Sequence, residues 1–301
     1  MARILTGIQS TGIPHLGNVL GAIRPAIALS RDASNESFLF IADLHSLTQI
    51  KDPARTVFYR QSDVPETTEL AWYLGCFFPY SRLALAHSFK DKADRLEDVN
   101  AGLFTYPMLM AADILLYDAH VVPVGKDQKQ HLEITRDVAE RFNHLMGETF
   151  VLPDARIDEQ VMIVPGTDGE KMSKSRNNLL RIFAPEKELK KEVMGIVTDS
   201  TPMEEPKDPE GNTVYQLFRL VAPADAVADM AAKFRAGGYG YGHAKKALLD
   251  ALLDGFRTER ETFDRLMSDP AELDRQLKNG ADKARNVASV VLKRVREKLG
   301  Y

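Results

Sequence analysis

A chain of 301 residues, 44% hydrophobic and 27% charged, has the make-up of an ordinary globular protein and the length for one large or two moderate domains. Its formal charge of −4 excludes a broadly basic nucleic-acid coat; its one cysteine, Cys76, permits no internal disulfide, cannot alone hold zinc or an iron–sulfur cluster, and reads as a buried thiol. The start, Met1-Ala2-Arg3-Ile4-Leu5, turns polar too soon for a signal peptide, and no apolar stretch approaches the roughly 18 residues of a membrane span, so a cytoplasmic protein without membrane contact is expected.

In chain order, Arg3 to Thr6 predicts a short strand, and a turn with Gly7 and Gly12 leads into a helix from about Leu16 to Ser30. Ser37 to Asp43, Thr56 to Gln61 and His120 to Val124 are short apolar runs that read as buried parallel strands. Helical patterns lie between them, at about Val64 to Phe77, Thr105 to Leu116 and Asp127 to His144. The lone Trp72, within Glu69 to Leu74, is expected in the core or at a dimer interface. Alternating strand and helix implies a doubly wound, Rossmann-like α/β domain with a parallel sheet, over residues 1–184.

From Pro185 onward strand signals vanish. Pro185-Glu186 opens a helix with proline and acid in its first turn, which suits the helix dipole. Thr201 to Asn212, with Pro202, Pro206 and Pro209, predicts a surface loop. Gly237-Gly238-Tyr239-Gly240-Tyr241-Gly242 follows a helical region instead of a strand, so it reads as a helix connection and not a nucleotide loop. Ala284, Ala288, Val291, Val295 and Leu299 recur at spacings of three or four and mark one apolar helix face. Residues 185–301 are therefore expected to form an all-helical domain, with the last helix packing back on the first domain. Residues 271–301 hold eight Lys or Arg against four Asp or Glu, either a contact for RNA phosphate or a solvated helix face.

One connection is too short. Only 12 residues separate Asp43 from Thr56, and Pro53 would end a helix among them, whereas parallel strands need a crossover of about a dozen or more residues that normally holds a helix. A segment is expected to be absent near Ala54-Arg55, either lost from the polypeptide or left out and numbered across. A normal peptide bond there, with both strands paired in one sheet, would contradict this.

Four constellations could carry chemistry. A helix starting near His15 offers free backbone N–H groups and a positive dipole end to a phosphate, and His15 and Asn18 lie three apart on one face. Gly17 between them removes a side chain where a nucleotide would approach the backbone; a capped structural helix start is the plainer reading. Lys171-Met172-Ser173-Lys174-Ser175 follows Pro165-Gly166-Thr167-Asp168-Gly169 in a mobile loop whose ammonium groups could close over a triphosphate, or merely sit in water. Gly125-Lys126-Asp127-Gln128 follows an apolar strand and so falls at the carboxyl edge of the sheet, where ligands bind, although Asp127 could be only a helix cap. Asp113 sits in an otherwise apolar helix, Met108 to Tyr117, where an unpaired carboxylate is costly. It needs a partner: an internal cation or backbone group, or a ligand N–H.

Pro14-His15-Leu16-Gly17-Asn18 and Lys171-Met172-Ser173-Lys174-Ser175, in this order and at this separation, resemble the two nucleotide signatures of class I aminoacyl-tRNA synthetases. Thr6-Gly7-Ile8-Gln9-Ser10-Thr11-Gly12, Thr105-Tyr106-Pro107 with Met110 to Leu115, Val124-Gly125-Lys126-Asp127-Gln128 and Ala281 to Arg285 narrow the resemblance to the bacterial tryptophanyl-tRNA synthetases over nearly the whole chain. That resemblance implies ATP with Mg2+, L-tryptophan and tRNA(Trp) as reactants, a homodimer, an anticodon-reading helical domain, and metal held by no protein side chain. By the same likeness His15, Asn18, Lys92, Lys171 and Lys174 are the catalytic group. Gln9, Ser10, Thr11, Gly17, Asn18, Gly125, Asp127 and Gln128, with Lys171 to Ser175, hold ATP. Gln9, His45, Tyr106, Met110, Asp113 and Gln128 line the tryptophan pocket, with Asp113 accepting the indole N–H and Tyr106 and Gln128 near the ammonium group. Two departures stand out. Asn18 replaces the histidine of many class I enzymes, as it does in bacterial members of this family, and the crossover after Pro53 is shorter than theirs.

A tyrosyl-tRNA synthetase is the nearest alternative, disfavoured by Asp113 within Ala-Ala-Asp-Ile-Leu-Leu. A small nucleotidyltransferase would share the helix start but lack the long helical domain. A catalytically silent paralogue that senses tryptophan or binds RNA would not need His15, Lys171 and Lys174 intact.

Overall fold

A computed structural model describes residues 2–8, 15–32, 34–41, 56–85, 101–124, 129–157 and 164–301. Strands β1 (Ala2–Ile8), β2 (Asn35–Ile41), β3 (Thr56–Arg60), β4 (Val121–Val124) and β5 (Asp154–Ile157) form one parallel sheet in the order β3-β2-β1-β4-β5. Consecutive residues are buried along it, Ile4 and Leu5, Phe38 and Leu39, Phe58 and Tyr59, because helices cover both faces. The doubly wound sheet expected from the apolar runs is therefore present. β5 was not legible: Asp154-Ala155-Arg156-Ile157 is half charged, and it is a strand because its register with β4 pairs Val121 with Asp154 through to Val124 with Ile157. β2 and β3 pair over five residues, Ser37 with Thr56 through Ile41 with Arg60, while the Ala54-Arg55 junction lies outside the described residues.

The first predicted helix is present with a defect. It runs as α1 (Leu16–Asn18), a wide π segment (Val19–Ile23) and α2 (Arg24–Ser30). Pro25 explains the widening, since its ring clashes with the carbonyl four residues back and it has no N–H to donate. There follow α3 (Glu66–Phe77), α4 (Tyr80–Leu83), α5 (Ala101–Leu115) and α6 (Lys129–Met146). α5 starts a turn earlier than the expected Thr105 and carries Pro107 within it. On α3, Thr67, Leu70 and Leu74 face the core. The opposite stripe is Thr68, Trp72 and Cys76, so the buried-thiol reading of Cys76 and the core reading of Trp72 fail: Trp72 is 73% exposed and Cys76 is an exposed free thiol. A helix four residues per step away from its buried face has no core to offer them.

Every regular element of the second half is a helix: α7 (Glu186–Met194), α8 (Thr213–Val221), α9 (Ala224–Ala236), α10 (Tyr241–Gly255), α11 (Arg257–Ser268) and α12 (Pro270–Leu299). The glycine-rich run is a helix connection, with Gly237 and Gly238 at φ of 77° and 78° between α9 and α10. The apolar stripe of α12, Ala281, Ala284, Ala288, Val291 and Val295, joins the core of the sheet domain. Its arginines reach the same way. Arg285 Nε meets Glu66 Oε1 at 3.0 Å, Arg296 Nη2 meets Glu69 Oε2 at 2.6 Å, and Arg294 pairs with Asp118. Part of the basic excess noted in the sequence is thus spent holding α12 to the sheet domain.

Gly280 permits that docking. A Cβ built there would lie 1.5 Å from the Phe58 carbonyl oxygen, so α12 touches edge strand β3 with no room for a methyl group. Gly280→Ala is expected to cost about 3 kcal/mol or more of stability by overpacking, seen as a lower denaturant midpoint; an unchanged midpoint would contradict the close approach.

Candidate active site

His15 is the extended residue that precedes α1, at φ −110° and ψ 169°, and it is buried. Its N–H donates to Asn18 Oδ1 at 3.3 Å, and Asn18 N–H returns to the His15 carbonyl at 2.9 Å, so Asn18 leaves its Nδ2 hydrogens to donate. Burial first, and the ammonium of Lys174 second, push the His15 imidazole down to about 4. It is therefore neutral at pH 7, a ring that can donate one hydrogen bond without adding charge.

That influence of Lys174 means the two signature segments meet, although far apart in the chain. Further contacts agree. Leu16 N–H donates to the Leu180 carbonyl at 3.0 Å, and Leu16, Val19, Met172 and Leu180 share one buried cluster with the helical domain. A side chain at Gly17 would lie 3.1 Å from the His15 ring and 3.7 Å from Met172 Sδ, which gives the glycine a packing reason beside the one expected from a nucleotide.

The loop of the second signature is tied down by a residue that the sequence did not single out. Asn178 Nδ2 donates to Asp168 Oδ1 at 2.6 Å and to the Lys171 carbonyl at 3.1 Å, while its Oδ1 accepts from Ser173 N–H at 2.8 Å. Pro165 and Lys171 form an antiparallel bridge, and Gly169 turns the chain between them at φ 85°. Met172 is buried while Lys171 and Lys174 are exposed, so one side chain anchors the loop and the charges face outward. Lys174 begins a 3-10 turn to Arg176, which includes Ser175 and ends at Asn177 with φ 52°.

On α5, Tyr106, Met110 and Asp113 follow at spacings of four and three and lie along one side of the helix. Asp113 is buried, and burial raises its carboxyl to about 7 against the opposing hydrogen bond from Gln61. Gln61 Nε2 donates to Asp113 Oδ2 at 2.6 Å. No cation pairs with Asp113 among the described residues. Near it Phe38, Tyr59 and Tyr117 pack as tilted rings, with centroids 5.0 Å apart for Phe38–Tyr117 and 5.7 Å for Tyr59–Tyr117. Tyr106 Oη lies 2.7 Å from His131 Nε2 on α6, a buried histidine that the sequence offered no motif to find.

An acid near 7 in the fold and 3.8 as a free side chain has its folded-state affinity for protons raised, so its anion opposes folding as pH rises between those values. Asp113→Asn, which can still accept from Gln61, is expected to melt above the wild type at pH 8, the advantage fading by about pH 4. An advantage of equal size at both ends of the pH range would contradict the buried anion.

Gln9, Ser10, Thr11, His45, Lys92, Gly125, Lys126, Asp127 and Gln128 lie outside the described residues. The strands that lead into two of these segments are described: β1 ends at Ile8 and β4 at Val124, side by side where the strand order reverses. In doubly wound sheets that reversal opens the ligand crevice.

Known proteins share this layout. The family model described as tRNA synthetases class I (W and Y) matches residues 1–56 and 46–257. The chain is 47% identical to the tryptophan–tRNA ligase of Rhodopirellula baltica over 319 residues, covering 99% of each, and 46% identical to that of Fusobacterium nucleatum over 324 residues, covering 100% of this chain and 98% of the relative. The crystal structure of tryptophanyl-tRNA synthetase from Campylobacter jejuni complexed with ADP and tryptophan superposes with a TM-score of 0.94 at 41% identity, over 99% of this chain and all of that one. With its two signature segments in contact and relatives this similar along its full length, the chain belongs to the class I tRNA synthetases of the tryptophan and tyrosine family, among the tryptophan–tRNA ligases.

Proposed function

We propose that the chain activates L-tryptophan with ATP and passes it to the terminal adenosine of tRNA(Trp). The observation that carries this reading is the meeting of His15, Gly17 and Asn18 with Met172 and Lys174. In the first step the tryptophan carboxylate, ionised at pH 7 without help, attacks the α-phosphorus and pyrophosphate leaves. In the second the terminal 2′-hydroxyl attacks the acyl carbon and AMP leaves. The first step needs no base, and in the second the hydroxyl proton passes to a phosphate oxygen of the departing AMP, so rate comes from placement and from charge held against the phosphates. Neutral His15 and the Asn18 amide donate hydrogen bonds, and Lys171, Lys174 and Lys92 supply positive charge. Asp113 accepts the indole N–H, on the helix side it shares with Tyr106 and Met110. Gln9, His45 and Gln128 complete that pocket; Ser10, Thr11, Gly125 and Asp127 join the ATP site.

Mg2+ enters bound to the triphosphate. Among the described residues no helix is long and apolar enough to cross a membrane; a tRNA substrate supports a cytoplasmic location. The exposed Trp72 and Tyr80, 73% and 75% accessible, support a homodimer through this face, which sedimentation would test. The helical domain serves the anticodon. A segment absent near Ala54-Arg55 is supported by alignments to relatives that run over 319 and 324 residues against the 301 of this chain, and its loss from the polypeptide would endanger folding and dimerisation.

ATP–pyrophosphate exchange is the direct test, together with charging of tRNA(Trp). Exchange driven by tryptophan and not by tyrosine is expected; exchange driven by tyrosine, or none with either, overturns the reading.

A further inference from the structure

Gln61 stands in the 3-10 turn Gln61–Asp63 that closes β3, and no motif in its neighbourhood marks it for a site. Its Nε2 donates to Asp113 Oδ2 at 2.6 Å, and Asp113 Oδ1 receives no hydrogen bond from any described residue. We propose that Gln61 is a positioning residue for tryptophan selection: by filling Oδ2 it fixes the plane of the Asp113 carboxylate and reserves Oδ1 as the acceptor for the indole N–H. The inference rests on the reading of Asp113 given above and adds to it the group that aims the carboxylate.

A carboxylate rotates broadly about its terminal torsion, so one anchored oxygen removes most of that freedom. The anchor is itself held. Arg60, next to Gln61, ends the β2–β3 register opposite Ile41, and its guanidinium meets Asp63 at 2.9 Å and Asp274 of α12 at 3.1 Å. A neutral amide suits the task. It donates to the anion, and so favours it over the acid, without forming the ion pair that would satisfy the carboxylate before substrate arrives. Among the described residues, the ionisable groups about Asp113 are Tyr59 on β3, Tyr117 beyond the end of α5 and, past Tyr117, Glu66 on α3. All are neutral or negative, so Gln61 is the described group that opposes the effect of burial on Asp113.

The test measures tryptophan-dependent pyrophosphate exchange of the whole enzyme from about pH 6 to about pH 9. Gln61→Met keeps length and removes the donor. Its KM for tryptophan should rise about tenfold while kcat and the KM for ATP hold, and the acidic limb of kcat/KM should move to higher pH. Gln61→Glu keeps the size and places a second carboxyl on Asp113, so its limb should move further, and it decides the matter if the Met variant fails to fold. A wild-type KM for tryptophan and an unmoved limb overturn the role of Gln61. If Asp113→Ala also leaves the KM for tryptophan unchanged, the reading of Asp113 falls with it; if Asp113→Ala is defective, only the inference about Gln61 falls.

Discussion

Alanine at position 113 is expected to cut the preference for tryptophan over phenylalanine, the ratio of their kcat/KM values in pyrophosphate exchange, from about 10⁴ to 10⁵ down to about 10². The argument starts from where the carboxylate sits. Asp113 is buried on α5, its one hydrogen bond among the described residues comes from Gln61, and no cation there satisfies it. Under the proposed role of Asp113, tryptophan would bring an N–H to the remaining oxygen, whereas phenylalanine would strand it. In the alanine variant neither substrate meets a carboxylate, and discrimination falls back on ring size, which is worth only about one to two powers of ten. The proton affinity of Asp113 supplies a second readout. With its carboxyl lifted to about 7 by burial, tryptophan capture by the wild type should weaken as pH falls through that value, because the anion is the better acceptor. The alanine variant should lose this limb. A variant that kept the full preference would show selection to rest on shape alone.

Lys174→Ala is expected to slow adenylate formation roughly 10²- to 10³-fold, the effect of removing one preorganised charge worth on the order of 3 to 4 kcal/mol to the transition state. The loss should fall on the chemical step because the loop has other anchors. Met172 stays buried beside Leu16 and Val19, and Asn178 still ties Asp168, Lys171 and Ser173 together. Thermal stability should therefore hold, and the KM for tryptophan should change little. The imidazole of His15 gives an independent check, since Lys174 adds to the burial that depresses it. Removing Lys174 should raise that value without making the ring cationic at pH 7, because burial is the larger cause; histidine NMR titration would report it. Exchange at the wild-type rate would remove Lys174 from the catalytic group.

Both predictions use residues that could be read before any fold was known. Apolar runs of four to seven residues separated by helical periods are local patterns, and they located β1 to β4 and the main helices with boundary errors of a few residues. Asp113 stood out because a carboxylate within Met-Leu-Met-Ala-Ala-Asp-Ile-Leu-Leu contradicts its surroundings, and that contradiction is visible in one window of sequence. The signature segments were legible as spaced residue types, and the family followed from them.

What could not be read depends on residues distant in the chain. β5 is a strand through its ladder with β4, Cys76 and Trp72 are exposed because the buried side of α3 is the opposite one, and the arginines of α12 find acids on the sheet domain. Gln61 and Asn178 come beside the candidate site only because folding sets them against Asp113 and the second signature loop. Period, capping and composition act over a few residues and are written into the sequence by itself, which is why the sheet and the helices of the second half followed from it. Partner, burial and charge pairing are settled by strand register and helix docking, which sum many weak contacts over the whole chain, and these only the tertiary structure decided.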